Sequence, residues 1–215
     1  VAGALGELML TAGAVVLLFV VYTLWGTGLQ TAAAQNDLRS QFELQIETEV
    51  DEPEAVYEGL ELGDAYGILR IERFGENWEK IVVEGVEDAD LKNGPGHYPD
   101  SANPGELGNF SIAAHRSGHG EPFAKFPELR EGDIVEIETA KGIYRYRLDN
   151  APNGDPDGNR IDIRDSWVVK PVPDKDGPRD AEPTEARLTL TTCWPRWGSS
   201  HRMYASGVLV SAEER

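Results

Sequence analysis

Residues 188–210 read LTLTTCWPRWGSSHRMYASGVLV and contain the single cysteine of the chain, Cys193. Two apolar, β-branched runs flank a short connection rich in Trp, Gly and Ser, the pattern of two strands joined by a loop. Cys193 closes the first run and Arg202 opens the second, so the two residues face each other if these strands are neighbours. A lone thiol is by itself weak grounds for chemistry, because free cysteine usually packs as a small hydrophobe. With one cysteine no internal disulfide forms, and the redox compartment is not legible from thiol pairing.

Outward from this stretch, similar short runs fill the chain from Ala65 onward: YGILRIERF, NWEKIVVEGV, NFSIAAH, IVEIETA, GIYRYRLDN and SWVVKPV precede ARLTLTTC and MYASGVLV. Clusters of Gly, Pro, Asn and Asp separate them. Alternation is clearest where Ile134, Val135 and Ile137 interleave with Glu136 and Glu138, and again over Tyr144 to Leu148. Such strands bury one face and wet the other. The expected fold is mainly β, an eight-stranded barrel with short helical turns near 87–91 and 122–129. Two long loops, 150–160 and 170–186, have no evident structure of their own, and loops of that length are often functional.

The N-terminal part is different in kind. Leu8 to Trp25 reads LMLTAGAVVLLFVVYTLW, without a charge, and as a helix it approaches the ~30 Å thickness of a hydrocarbon core. Ala32 to Ala34 offer a small-residue cleavage pattern, but the apolar run is longer than a signal peptide needs, which favours a retained transmembrane anchor over residues 1–34. Residues 35–62 are acidic, poorly periodic and interrupted by Pro53, and read as a partly helical stalk. Residues 63–215 form the folded domain. The chain has 38 acidic against 20 basic residues, a net charge of −18 that excludes nucleic acid as a partner.

A cysteine nucleophile needs a group that raises its thiolate fraction, an acid for the leaving group and a donor for the developing oxyanion. The chain has four histidines. His115 ends the apolar run FSIAAH beside a glycine-bearing turn, where site residues commonly sit. His119 follows, but Ser117, Gly118 and Gly120 argue against a helical H-x-x-x-H metal pair. His97, in the turn-rich GPGHYP segment, and His201 are expected to be solvent-exposed. Among arginines, Arg116, Arg196 and Arg202 all adjoin candidate site segments, and spacing alone does not choose between them. A strand-end arginine paired with one of the many carboxylates is the plain alternative for Arg202.

The stretch TLTTC at 189–193 resembles the T-L-x-T-C signature of sortases, the membrane-anchored cysteine transpeptidases of Gram-positive bacteria. His115, followed by Arg116 in an "HR" pair, and Arg202 match the family's strand-end histidine and its arginine past the cysteine. The likeness extends from Gly63 to Val210 and includes the N-terminal anchor. GPGHYP at 94–99, NFSIAAHRSGHGEPF at 109–123 and TLTTCWPR at 189–196 are similar to class E, the housekeeping type of high-GC actinobacteria. Trp194 and Trp197 in the connection after the cysteine depart from that pattern.

The resemblance implies a sortase-type barrel and cleavage of an L-A-x-T-G or L-P-x-T-G sorting signal between Thr and Gly. It implies Cys193 as nucleophile, His115 as proton exchanger and Arg202 as oxyanion donor. Thr192 is then either a holder of substrate or oxyanion, or a plain strand residue, and Tyr98 lines the signal-binding groove. Implied partners are secreted proteins bearing a C-terminal sorting signal, a peptidoglycan precursor supplying the acceptor amine, and the membrane, with the catalytic domain on its extracellular face. No cofactor is expected. Asp155 and Asp157 stand somewhat like a calcium-binding turn, but the bidentate glutamate of an EF-hand is missing, so no metal is expected either. Two other readings are a pilin-polymerising sortase and a membrane-tethered barrel that only binds, with Cys193 structural.

Overall fold

The computed structural model describes residues 2–48, 57, 59–178 and 181–215. Its strands are β1 (Ala65–Ile71), β2 (Glu79–Glu84), β3 (Gly96–His97), β4 (Gly108–Ala114), β5 (Ile134–Thr139), β6 (Gly142–Asn150), β7 (Arg160–Asp162), β8 (Ala186–Trp194) and β9 (His201–Glu214). They run in the order β6-β5-β1-β2-β3-β4-β8-β9, and β9 returns to β6 to close the barrel, with β7 added along β9 outside the ring. The eight-stranded barrel expected from the sequence is therefore present. Most pairings are antiparallel, whereas β2–β3 and β4–β8 are parallel.

Alternation decides which residues fill the interior. Phe110, Ile112 and Ala114 of β4, Leu188 and Leu190 of β8, and Met203 and Ala205 of β9 join one buried cluster with Tyr146, Leu148 and Phe126. The intervening residues of β4 and β8 turn to the outer face of the sheet.

The strand expected at SWVVKPV does not form. Trp167–Val169 is a 3-10 turn that crosses the outer face of β4, where the Asn109 side-chain amide donates to the carbonyls of Val168 and Lys170 at 2.8 and 2.9 Å. The ring is closed without it, so this apolar segment covers the sheet and adds no strand. β3 and β7, absent from the expectation, are only two and three residues long. The helical turns are found as α3 (Asp88–Leu91) and a 3-10 turn at Phe126–Glu128.

The largest departure concerns the expected stalk. Helix α1 (Ala2–Val21) continues through a π-helical turn at Tyr22–Gly26 into α2 (Thr27–Thr48), so residues 35–48 are helical. They are not a free spacer, because α2 lies on β1 and β2. Leu38 and Phe42 are buried in a second apolar cluster with Ala65, Ile68, Ile81 and Val83. Above them the Gln35 amide pairs like a strand neighbour with Ile81, accepting from its N–H at 2.8 Å and donating to its C=O at 2.9 Å. β3 is too short to reach that part of the β2 edge, so Gln35 satisfies backbone groups that would otherwise be orphaned. Gly94 makes room, since a Cβ there would lie 2.4 Å from the Gln35 amide nitrogen and 2.7 Å from the Ile81 oxygen. Thr31 donates to the Lys92 carbonyl at 2.7 Å, and Arg39 pairs with Glu79 at 2.6 Å. Within the expected stalk, residues 49–56 and 58 lie outside the described residues.

Replacing Phe42 by Ala removes the largest apolar side chain under α2 and is expected to cost about 3 kcal/mol. Hydrogen exchange on the full chain checks this: amides of α2 exchange faster, while β5 and β6, which lie away from the helix, keep their protection.

Candidate active site

The parallel pairing of β4 with β8 brings their C-terminal ends to the same rim. In register, Ala113 lies opposite Thr191 and Ala114 opposite Thr192, so the next residues, His115 just past the end of β4 and Cys193 within β8, come side by side at this rim. On the other flank β9 starts at this rim, and Cys193 is the register partner of Arg202. Cys193 thus sits between His115 and Arg202, all three half-buried at the outer face. Arg202 has no carboxylate within salt-bridge distance among the described residues; its Nη1 donates only a long bond, 3.4 Å, to the His201 carbonyl. The alternative of an arginine spent on a surface ion pair is not what the structure contains.

Thr192 points the other way. It is buried, and its hydroxyl donates to the Ala114 carbonyl at 2.8 Å, fastening β8 to β4 directly behind the cysteine. Tyr98 is on the outer face, its hydroxyl 3.2 Å from Thr191 Oγ1, two residues along the strand from Cys193. Further along this face a cleft of about 630 Å³ is lined by Thr189, Tyr204, Trp167, Val172 and Pro173.

His97 corrects an expectation of exposure. It is buried, with Nδ1 2.7 Å from Glu84 Oε2 and Nε2 3.0 Å from Ser101 Oγ, and its ring stacks on Tyr66 at 4.3 Å. GPGHYP folds into β3, and alternation turns the ring inward. His201 is half-buried, edge-on to Trp194. Arg116 is buried beneath the rim, with Nη1 3.2 Å from Met203 Sδ. Arg196 is engaged with Glu121 at 2.6 Å.

The acidic loop and the departing tryptophan explain each other. Trp194 Nε1 donates to the Pro156 carbonyl at 3.1 Å and to Asp157 Oδ1 at 3.0 Å, and Arg160 lies over its ring at 4.2 Å. Asp155 accepts the Asp157 backbone N–H at 2.9 Å, a turn-stabilising bond.

One feature was not foreseen from the sequence. The His119 ring stacks on His115, with centroids 4.9 Å apart and an interplanar angle of 29°. The turn that places it, Gly118 to Glu121, has φ values of 68, 49, 73 and 48°, all left-handed, two of them at non-glycine residues. Such conformations persist only where the surroundings hold them. The H-x-x-x-H spacing was the available signal, weighed only as a metal pair. Burial lowers the His115 pKa from its ordinary value; the nearby His119 acts in the same direction, and Asp88 opposes them.

A closed barrel with a cysteine flanked in register by a strand-end histidine and an arginine defines a class of cysteine transpeptidases, and comparison with known proteins gives the family. The sortase domain model matches residues 69–210, and the chain belongs to the sortase family. It is 29% identical over 99% of its length to sortase SrtE1 of Streptomyces coelicolor, and 31% identical over 98% to sortase SrtE2 of that organism. The chain spans 58% of the first relative's length and 82% of the second's. The structure of sortase E from Streptomyces avermitilis superposes with a TM-score of 0.61 at 36% identity, covering 72% of this chain and 93% of that one.

The lowered His115 pKa has a direction in stability. The unfolded chain binds this proton more tightly, so the contribution is complete above the unfolded value of about 6.5 and is lost as pH falls through the lower folded midpoint. NMR titration of the His115 ring is expected to give a midpoint below that of an unfolded reference peptide.

Proposed function

We propose that this protein is a class E-like sortase that cleaves an L-A-x-T-G or L-P-x-T-G signal between Thr and Gly and transfers the acyl part to a cell-wall precursor amine. The observation that carries this reading is the register itself, with Cys193 between His115 and Arg202 at one rim.

In the first half-reaction the Cys193 thiolate attacks the Thr carbonyl carbon and a C–S bond forms. Arg202, which has no carboxylate partner among the described residues, donates hydrogen bonds to the oxygen as negative charge develops. Collapse breaks the C–N bond, and protonated His115 gives its proton to the departing Gly amine, leaving a thioester. In the second half-reaction the acceptor amine attacks the thioester, His115 takes its proton, and the C–S bond breaks to restore the thiolate. Thr192 fastens the two strands that present the pair, while Tyr98 and the cleft beyond it receive the signal residues ahead of the scissile bond.

Helix α1 is the proposed anchor. Gly3–Val21 has a mean hydropathy of 2.3 and none of its surface is buried within the protein, and a helix of that length is about 28 Å long. In this reading it crosses the membrane once, and the barrel faces the extracellular side, where secreted proteins with sorting signals and the peptidoglycan precursor meet it.

Two substitutions test the chemistry on fluorogenic signal peptides with an amine acceptor. Cys193→Ala abolishes turnover and the thioester mass adduct. Arg202→Ala lowers kcat about 10²- to 10³-fold, the usual effect of losing one oxyanion donor. Undiminished cleavage in Cys193→Ala overturns the assignment.

A further inference from the structure

His119 and the helix that leads from the anchor meet at the proposed centre. The His119 ring covers one face of His115. Its backbone N–H donates to Thr27 Oγ1 at 3.4 Å, and the Thr27 hydroxyl proton is already given to the Thr23 carbonyl at 3.0 Å, so the lone pairs are free to accept. One turn further along α2, Thr31 lies against Gly120, where a Cβ would sit 3.4 Å from Thr31 Cγ2. From the opposite side Arg196 grips Glu121. A run of left-handed residues is thus clamped between α2 and the connection that follows the cysteine. Because Gln35 and Phe42 fix α2 to β2 and β1, a continuous line of contacts joins the helix to His115.

We propose that His119 is a positioning residue for His115 and that α2 holds it in place through Thr27, so that the membrane-proximal helix and the reaction centre work as one unit. The proposal rests on the reading of His115 as the proton-exchanging group. Stacking fixes the plane of the imidazole, and with it the direction in which the ring delivers its proton to the leaving amine. The charged and titratable groups facing His115 are His119 from this turn and Asp88 from α3; by register Cys193 of β8 lies beside it, with Arg202 of β9 on the far side of the thiol. The lowering that His119 adds to the effect of burial agrees with that contact.

The test uses the full chain in lipid nanodiscs, with kcat and KM followed across pH and the His115 ring followed by NMR. His119→Ala is expected to lower kcat about ten-fold at unchanged KM. His119→Phe, which keeps a stacked ring without the charge, recovers most of kcat while the His115 midpoint moves up. Thr27→Val gives a smaller loss, which disappears in the His119→Ala background because both act through one contact. Parental kcat and an unmoved His115 midpoint in His119→Ala overturn the proposal, as do losses in Thr27→Val and His119→Ala that multiply independently. If the parent chain cleaves neither signal peptide, the reading of the reaction falls, while an unmoved His115 midpoint in His119→Ala separately overturns the contact on which the positioning role stands.

Discussion

The site depends on one choice of strand direction. β4 and β8 are parallel, so the last residues of both reach the same rim, and β9, antiparallel to β8, begins there. Had β4 run the other way, its seven residues would carry His115 about 20 Å from Cys193. Parallel neighbours need a long crossover, and the chain between β4 and β8 supplies it as β5, β6, β7 and their loops. Ring closure then fixes the rim, since β9 pairs with β8 from His201 to Val208 and with β6 from Ser206 to Glu214, the two overlapping over three residues. Two strands of the ring, β5 and β6, thus belong to the connection that lets two strand ends meet.

The strands that alternate over five or more residues were legible because each buries one face. Cys193, His115 and Arg202 could be placed at strand ends from the sequence, but spacing left Arg116 and Arg196 open beside Arg202, and only the resemblance of TLTTC to a family signature singled out the three that the register brings to one rim. β3 and β7 were not, being too short for any period to show. SWVVKPV is as apolar as a strand, but its backbone is held by Asn109 and its side chains cover a sheet that is already complete. The stalk was read as partly helical, but the docking of α2 on the barrel was missed for a more instructive reason. Its docking stripe, Thr27, Thr31, Gln35, Leu38 and Phe42, has helical spacing, but three of its members are polar and meet backbone groups of the barrel and its loops. A search for apolar period passes over such a stripe.

The same lesson applies to the histidines. His97 lies in a segment full of turn residues and was read as exposed, yet the two-residue strand turns it inward against Tyr66, and Glu84 with Ser101 satisfies both ring nitrogens. A buried imidazole without those partners would be costly, so the fold keeps it only as part of a satisfied group. His115 is different, because its neighbours are an imidazole and the rim and no carboxylate is bonded to it among the described residues. One histidine is locked by its hydrogen bonds, and the other is stacked on a second ring, the arrangement that the proposed proton exchange would use.

The charge balance sharpens this contrast. Acidic residues outnumber basic ones by 38 to 20, and carboxylates collect cations across the barrel surface: Arg70 alone reaches Glu79, Glu136 and Glu138. In such a chain an arginine at a rim finds a carboxylate by default. Arg202 has no such partner among the described residues, while carboxylates of adjoining segments are engaged elsewhere: Asp157 accepts from Trp194, Asp162 is bound by Arg164, and Glu121 holds Arg196. Each of these pairs is a modest surface interaction worth little to stability. The guanidinium that is the register partner of Cys193 is thereby left without a carboxylate among the described residues, and this is the condition that the proposed donor role requires, since a cation already paired has less to offer a new negative charge.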